Sequence, residues 1–201
     1  AMQAVAQLRP GREVLAIVPA VENMPSGSAM RPGDVVRAMN GRTIEIENTD
    51  AEGRLTLADA LCYAVRAGCD ELIDLATLTG ACVWALGRVY SGLMSNNEEL
   101  VERLKACSRV CGDRIWPLPL SEDYRYLIES QVADMKNTGG REGGAITAAL
   151  LLQEFTDGRP WAHIDIAGPA FLSQDNGIIE KGASGAGVRL LIEHLCGGPA
   201  A

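Results

Sequence analysis

Asn48 to Leu78 reads NTDAEGRLTLADALCYAVRAGCDELIDLATL. Within it, Leu55–Ala67 places Leu57, Ala58, Leu61, Ala64 and Val65 on one face at i, i+3, i+4, i+7 and i+8, and Gly68 supplies a stop, which predicts an amphipathic helix. Glu71–Leu78 (ELIDLATL) follows at once as a nearly continuous apolar run, the pattern of a strand buried on both faces. Two more runs of this kind stand further out, Glu13–Pro19 (EVLAIVP) and Trp161–Ala167 (WAHIDIA). Helices are expected at Ala1–Leu8, Gly80–Leu86, Glu98–Cys111, Ala145–Phe155 and Gly187–Leu195, with a short one capped by Ser121. Met30–Asp34 and Asn40-Gly41-Arg42 read as turns around a strand, Trp116–Pro119 as an extended connector, and Asn137–Gly144 (NTGGREGG) as a flexible loop. Strands alternating with helices define an α/β layered fold with a mostly parallel sheet, whose sites lie beyond the carboxyl ends of strands.

The 201 residues fit one domain. Their apolar share of 47% and charged share of 22% are those of a globular protein rather than a fibre or a disordered tail. A net charge of −8 argues against a nucleic-acid binder, which needs a basic surface. The six cysteines are scattered, and Cys107 and Cys111, one helical turn apart, have no second Cys or His pair nearby to complete a tetrahedral zinc site. No signal-peptide pattern opens the sequence and no apolar run approaches the ~20 residues of a membrane helix. The expectation is a soluble, intracellular protein with no membrane partner.

The densest chemistry lies at Asn48–Leu55, between the expected strand Thr43–Glu47 and the long helix. If this segment is extended, the side chains of Asp50, Glu52 and Arg54 project to one side, two anions and a cation suited to divalent metals and an oxyanion. Spacing alone favours a helix start, with Thr49 or Asp50 as N-cap and Glu52 and Arg54 as exposed first-turn charges.

The wording NTDAEGRL resembles the signature octapeptide of the leucine aminopeptidases, the cytosolic M17 type of di-zinc exopeptidase. Glu22–Arg37, Leu55–Leu61, Ile73–Ala81, Val132–Gly140, Gly143–Ala149 and Trp161–Gly168 are also similar to blocks of that family, so the resemblance covers most of the chain. It implies a mixed, mostly parallel sheet sandwiched between helices, zinc-exopeptidase-like, present as a partial domain: residues 1–201 as the C-terminal portion of the catalytic domain. It implies that Asp50 and Glu52 bind metal, Glu52 bridging two divalent ions (Zn or Mn), and that Arg54 is catalytic and helps hold a bicarbonate. Asn48, Thr77, Leu78, Gly80 and Ala167 match positions that bind a peptide substrate, and Ala170 stands where some relatives carry Met. The family's other ligands, a lysine and two aspartates, and its catalytic lysine come from FDSGG and MK-x-D-MGG blocks that nothing here resembles. The isolated chain is then expected to be inactive or nearly so, as a fragment, as a nicked chain whose N-terminal half stays associated, or as a truncated interaction subunit. Assembly into trimers or hexamers and a cytoplasmic setting are implied too, with chloroplast or mitochondrion left open.

Other residues carry less. His163, inside a buried strand, reads as a satisfied core residue, and His194 suits the negative end of the last helix. Gly139–Gly144 before a helix lacks the Lys-Ser/Thr of a phosphate loop. Asp165 reads as structural support, and Lys181 and Arg189 as surface charges. The phrase RPGDVVRAMNGRTI also resembles a PDZ domain, but strong helices follow it at once, where that β-rich domain needs about 90 residues.

Overall fold

The computed structural model describes residues 1–23, 25–175, 177 and 179–197. A four-stranded sheet forms the centre, in the order β3 (Leu72–Ala76), β7 (Trp161–Asp165), β4 (Ser91–Ser95) and β5 (Ile115–Pro117). β3 runs parallel to β7 and β4 parallel to β5, while β4 and β7 are antiparallel, so the sheet is mixed. A smaller sheet joins β1 (Val35–Arg37), β2 (Thr43–Glu45) and β6 (Met135–Lys136). β1 and β2 form the hairpin the Asn40-Gly41 turn predicts, and β6 lies parallel to β2.

Helices cover both faces of the central sheet. α2 (Gly53–Arg66), α3 (Gly80–Leu86) and α5 (Gly144–Gln153) lie on one side, around a core that includes Leu57, Leu61, Ala149, Leu150 and Trp161. α4 (Glu98–Cys111) and α6 (Val188–Ile192) lie on the other, around Leu93, Leu100, Leu104, Ile164 and Leu190. The alternation of β7 divides its side chains between these cores, as the period of two in a strand requires.

Three expectations change, and one strand was not expected. Glu13–Pro19 is not a buried strand: it is irregular, pairs with no described strand, and leaves Leu15 47% and Val18 85% exposed. An apolar run becomes a strand only where neighbours complete its hydrogen bonds, and the described residues offer it none. Ser91–Ser95, whose Gly and two Ser carry little strand signal, is a strand nonetheless, because β7 and β5 flank it. The Trp116–Pro119 connector begins as the edge strand β5. The final helix ends in a π-helical turn at Glu193–Gly197. α1 (Met2–Leu8), α3 and α4 fall where the sequence places them.

Candidate active site at the head of helix α2

The signature segment is not extended. Thr49–Ala51 forms a 3-10 turn capped by Asn48, whose Oδ1 accepts from the Asp50 N–H at 3.0 Å, and the backbone passes through Glu52 into α2 at Gly53. Asp50, Glu52 and Arg54 therefore do not share one side of a strand. Asn48 caps only this turn, and the expected helix cap at Thr49 or Asp50 is not found: α2 starts from Glu52, with no side-chain capping bond. Nor is Arg54 an exposed first-turn charge: it is 7% exposed, Glu52 is half-buried, and Asp50 is open to solvent.

Asn137 locks this segment in place. Fully buried, it accepts on Oδ1 from the Glu47 and Asn48 N–H groups, at 2.9 and 3.2 Å, and donates through Nδ2 to the Asn48 carbonyl at 2.6 Å. The loop read as flexible thus begins with an anchor. The pairing of β6 with β2 delivers Asn137 there, a long-range fact no local pattern encodes.

Asp165, at the carboxyl end of β7, organises the other side. Its Oδ1 accepts from the Leu78 N–H at 3.2 Å and the Ala167 N–H at 3.1 Å, and its Oδ2 from the Thr79 hydroxyl at 2.6 Å. Thr79 in turn caps α3 through the Cys82 N–H. The turn carrying Thr77, Leu78 and Gly80 and the residue Ala167 are thereby fixed by one buried carboxylate. Gly53 admits the turn against α2, since a Cβ there would stand 3.3 Å from Leu78 Cδ1. Gly168 is a closer case: a Cβ would lie 2.3 Å from the Gly87 carbonyl oxygen.

Arg54 lies between these groups. Burial pushes its guanidinium down to about 10, against the opposing pull of Asp165 and Glu52. Its Nε and the Glu52 Oε2 are buried without hydrogen-bond partners. A buried carboxylate oxygen and a buried guanidinium N–H left open mark a place for a cation and an anion, because such groups are costly to bury unpaired. Glu52 also lines a cavity of about 270 Å³ with Glu22, Asn23, Met30, Leu55 and Asp59. The donor set fits part of a divalent site, hard oxygen from Glu52 and Asp50. Among the described residues no group of three or more His, Cys, Asp or Glu gathers to complete one.

Of the remaining residues, all six cysteines are free thiols. His163 bonds Asp74 through Nδ1, but its Nε2 has no partner, so it is only half satisfied. His194 bonds Glu71. Arg189 is no isolated surface charge, because it grips Asp113 through Nε and a terminal nitrogen, at 3.0 and 2.6 Å.

A carboxylate and guanidinium pair at the head of a helix, beside the carboxyl end of a parallel strand, stands where open α/β enzymes place their sites. Residues 1–192 match the family model described as cytosol aminopeptidase family, catalytic domain, and the chain belongs to that family. It is 55% identical over 195 residues to a probable cytosol aminopeptidase of Synechococcus sp. (strain JA-3-3Ab), covering 97% of this chain and 38% of that one. A probable cytosol aminopeptidase of Thermosynechococcus vestitus is 56% identical over 187 residues, with 93% and 38% covered. Among solved structures, a mutant of tomato leucine aminopeptidase superposes with a TM-score of 0.83 at 48% identity, over 88% of this chain and 34% of that one. The bottromycin maturation enzyme BotP, also solved in complex with Mn, gives 0.82 at 44%, over 86% and 39%. The chain spans 38% to 40% of the length of the curated relatives it matches. No described helix is long and apolar enough to cross a membrane.

Proposed function

We propose that these residues form the C-terminal part of the catalytic domain of a metal-dependent aminopeptidase that removes leucine-like N-terminal residues from peptides. The observation that carries the reading is the buried Arg54 guanidinium beside the unpartnered Glu52 oxygen, at the head of α2. Asp50 and Glu52 would hold divalent ions, Zn or Mn, with Glu52 shared between two. When bound, such ions lower the pKa of water and polarise a carbonyl. Arg54 offers a planar fork of N–H donors for bicarbonate or for the oxyanion of the reacting peptide bond. Asn48, Thr77, Leu78 and Gly80 would orient the peptide, and Ala167 would wall the pocket for its first side chain.

Remaining ligands would come from the upstream part of the same domain, on this polypeptide or on an associated fragment. The family reading carries with it assembly into a trimer or hexamer, in the cytoplasm or an organelle, and such assembly would cover apolar side chains such as Trp84, 93% exposed, and Val110, 72% exposed. The test is native mass, denatured chain masses and leucyl-substrate hydrolysis with added Zn²⁺ or Mn²⁺ on one preparation. Hydrolysis with a co-migrating N-terminal segment, on the same or a second chain, is the expected result. A ~21 kDa species without hydrolysis would instead identify a non-catalytic subunit that keeps the fold for assembly.

A further inference from the structure

The face of the central sheet that packs on α2, α3 and α5 is apolar except for one strip. On β7 the strip is Trp161, His163 and Asp165, and on β3 it is Asp74 beside His163 in register. Asp74 accepts from Trp161 Nε1 at 2.7 Å and contacts His163 Nδ1 at 2.5 Å, so the carboxylate fixes the Nδ1–H form and orients the ring. His163 is 0% exposed, and its other nitrogen, Nε2, is buried without a partner. Five buried side-chain atoms among the described residues lack partners, and three of them belong to Glu52, Arg54 and His163. Orphans of this kind are costly, and a residue kept only for packing has no reason to leave one.

Charge gives the strip its meaning. Asp165 stands two residues beyond His163 on the same face, about 6.6 Å along the strand. Asp165 already spends both oxygens on Leu78, Thr79 and Ala167. Arg54, buried against it, makes no hydrogen bond to it through Nε. Asp165 would draw an otherwise unopposed guanidinium into a direct ion pair, and the fork would then be blocked. The groups that act on His163 are Asp74 on β3, Asp165 on its own strand and Arg54 on α2. Cys82 on α3 lies against Asp165, and α5 carries no ionisable side chain. Burial opposes charge on the imidazole, yet Asp74 and Asp165 together shift it toward the protonated form.

We propose that His163, clamped by Asp74, is a positioning residue that offsets the buried charge of Asp165 and so keeps Arg54 free to receive an oxyanion of the reacting peptide. The role in turnover rests on the aminopeptidase reading, whereas the charge of His163 does not.

The experiment has two arms on the full-length protein. In the first, ¹⁵N NMR of the His163 ring shows it holding both protons to higher pH than the 6.5 of a free imidazole; a ring that turns neutral at or below that pH overturns the proposal whether or not the protein folds as a variant or hydrolyses anything. In the second, His163→Gln lowers kcat by up to about 100-fold, the scale for a group misplaced by about 1 Å, while KM stays within about threefold. His163→Gln/Asp165→Asn, which removes the carboxylate that captures Arg54, recovers part of that kcat. A merely structural histidine would lower the melting temperature without this split or this recovery, and an unchanged kcat or an equal loss in both variants overturns the positioning role. If the unmutated protein fails to hydrolyse peptides with either metal, the aminopeptidase reading falls, and the ¹⁵N arm still decides the charge.

Discussion

β7 presents two chemistries on its two faces. Toward α4 and α6 it offers Ala162 and Ile164 to Leu93, Leu104 and Leu190. Toward α2 and α5 it offers His163 and Asp165, both 0% exposed. The first face is held by packing, and a buried carboxylate on that side, Asp113, collects hydrogen bonds from the Gly187 and Leu190 N–H groups and two from Arg189. On the second face polar atoms stay unpaired next to a buried arginine. A strand can thus be structural on one side and serve a site on the other: the packed side carries an unpaired buried atom too, Arg103 Nε on α4, but Glu52, Arg54 and His163 each carry one on the site side.

The strongest test of that contrast is Arg54. Arg54→Ala should lower kcat by about 100- to 1000-fold, the range for removing a donor aimed at developing charge, with the fold intact by circular dichroism. Arg54→Lys keeps the charge but loses the fork and should recover only a minor part. Full activity in the lysine variant would show that charge alone suffices. The mirror experiment lies on the packed face: Leu104, 0% exposed, when cut to alanine should cost about 2–5 kcal/mol of stability in urea melts while kcat per folded molecule stays unchanged. A drop in kcat there would erase the distinction between faces.

Asn137→Ala falls between these extremes. It strands the Glu47 and Asn48 N–H groups, at about 1–3 kcal/mol, and loosens the segment that carries Asp50. KM should rise along with the loss in stability, whereas an unchanged KM would make Asn137 a packing residue only.

These residues show which parts of the site the sequence could reveal. Helix α4 was legible as the run Glu98–Cys111, and the structure shows Asn97 and Gly112 capping its ends, because what makes a helix is local. Asp50, Glu52 and Arg54 were legible as residue types, but not their arrangement, since a 3-10 turn and an extended segment carry the same letters. Asn137 and Asp74 gave no local signal, as each acts across about 90 residues of chain, on Asn48 and His163. Glu13–Pro19 read as a strand because apolar runs do; pairing, which decides the matter, is not written in the run itself.

The smallest effect concerns the ion pair network on the packed side. Glu71 receives hydrogen bonds from His194 and Arg103. Burial alone would push its carboxyl up, but those bonds bring it down to about 2 from 4.5. A depressed carboxyl contributes stability that is fully present above its unfolded value and is lost as pH falls through the folded one. The loss therefore belongs between about pH 4.5 and about pH 2. Because the Arg103 side chain is 40% exposed and that of Glu71 26%, solvent screens the pair, and near neutrality Glu71→Gln should cost no more than about 1 kcal/mol. Urea midpoints measured from pH 7 to pH 2 should converge for the two proteins as the wild-type carboxyl takes up its proton. Parallel curves would show that Glu71 holds no preferential charge in the folded state, and would leave the packed face to the apolar contacts of Leu93, Leu104 and Leu190 and the hydrogen bonds of Asp113.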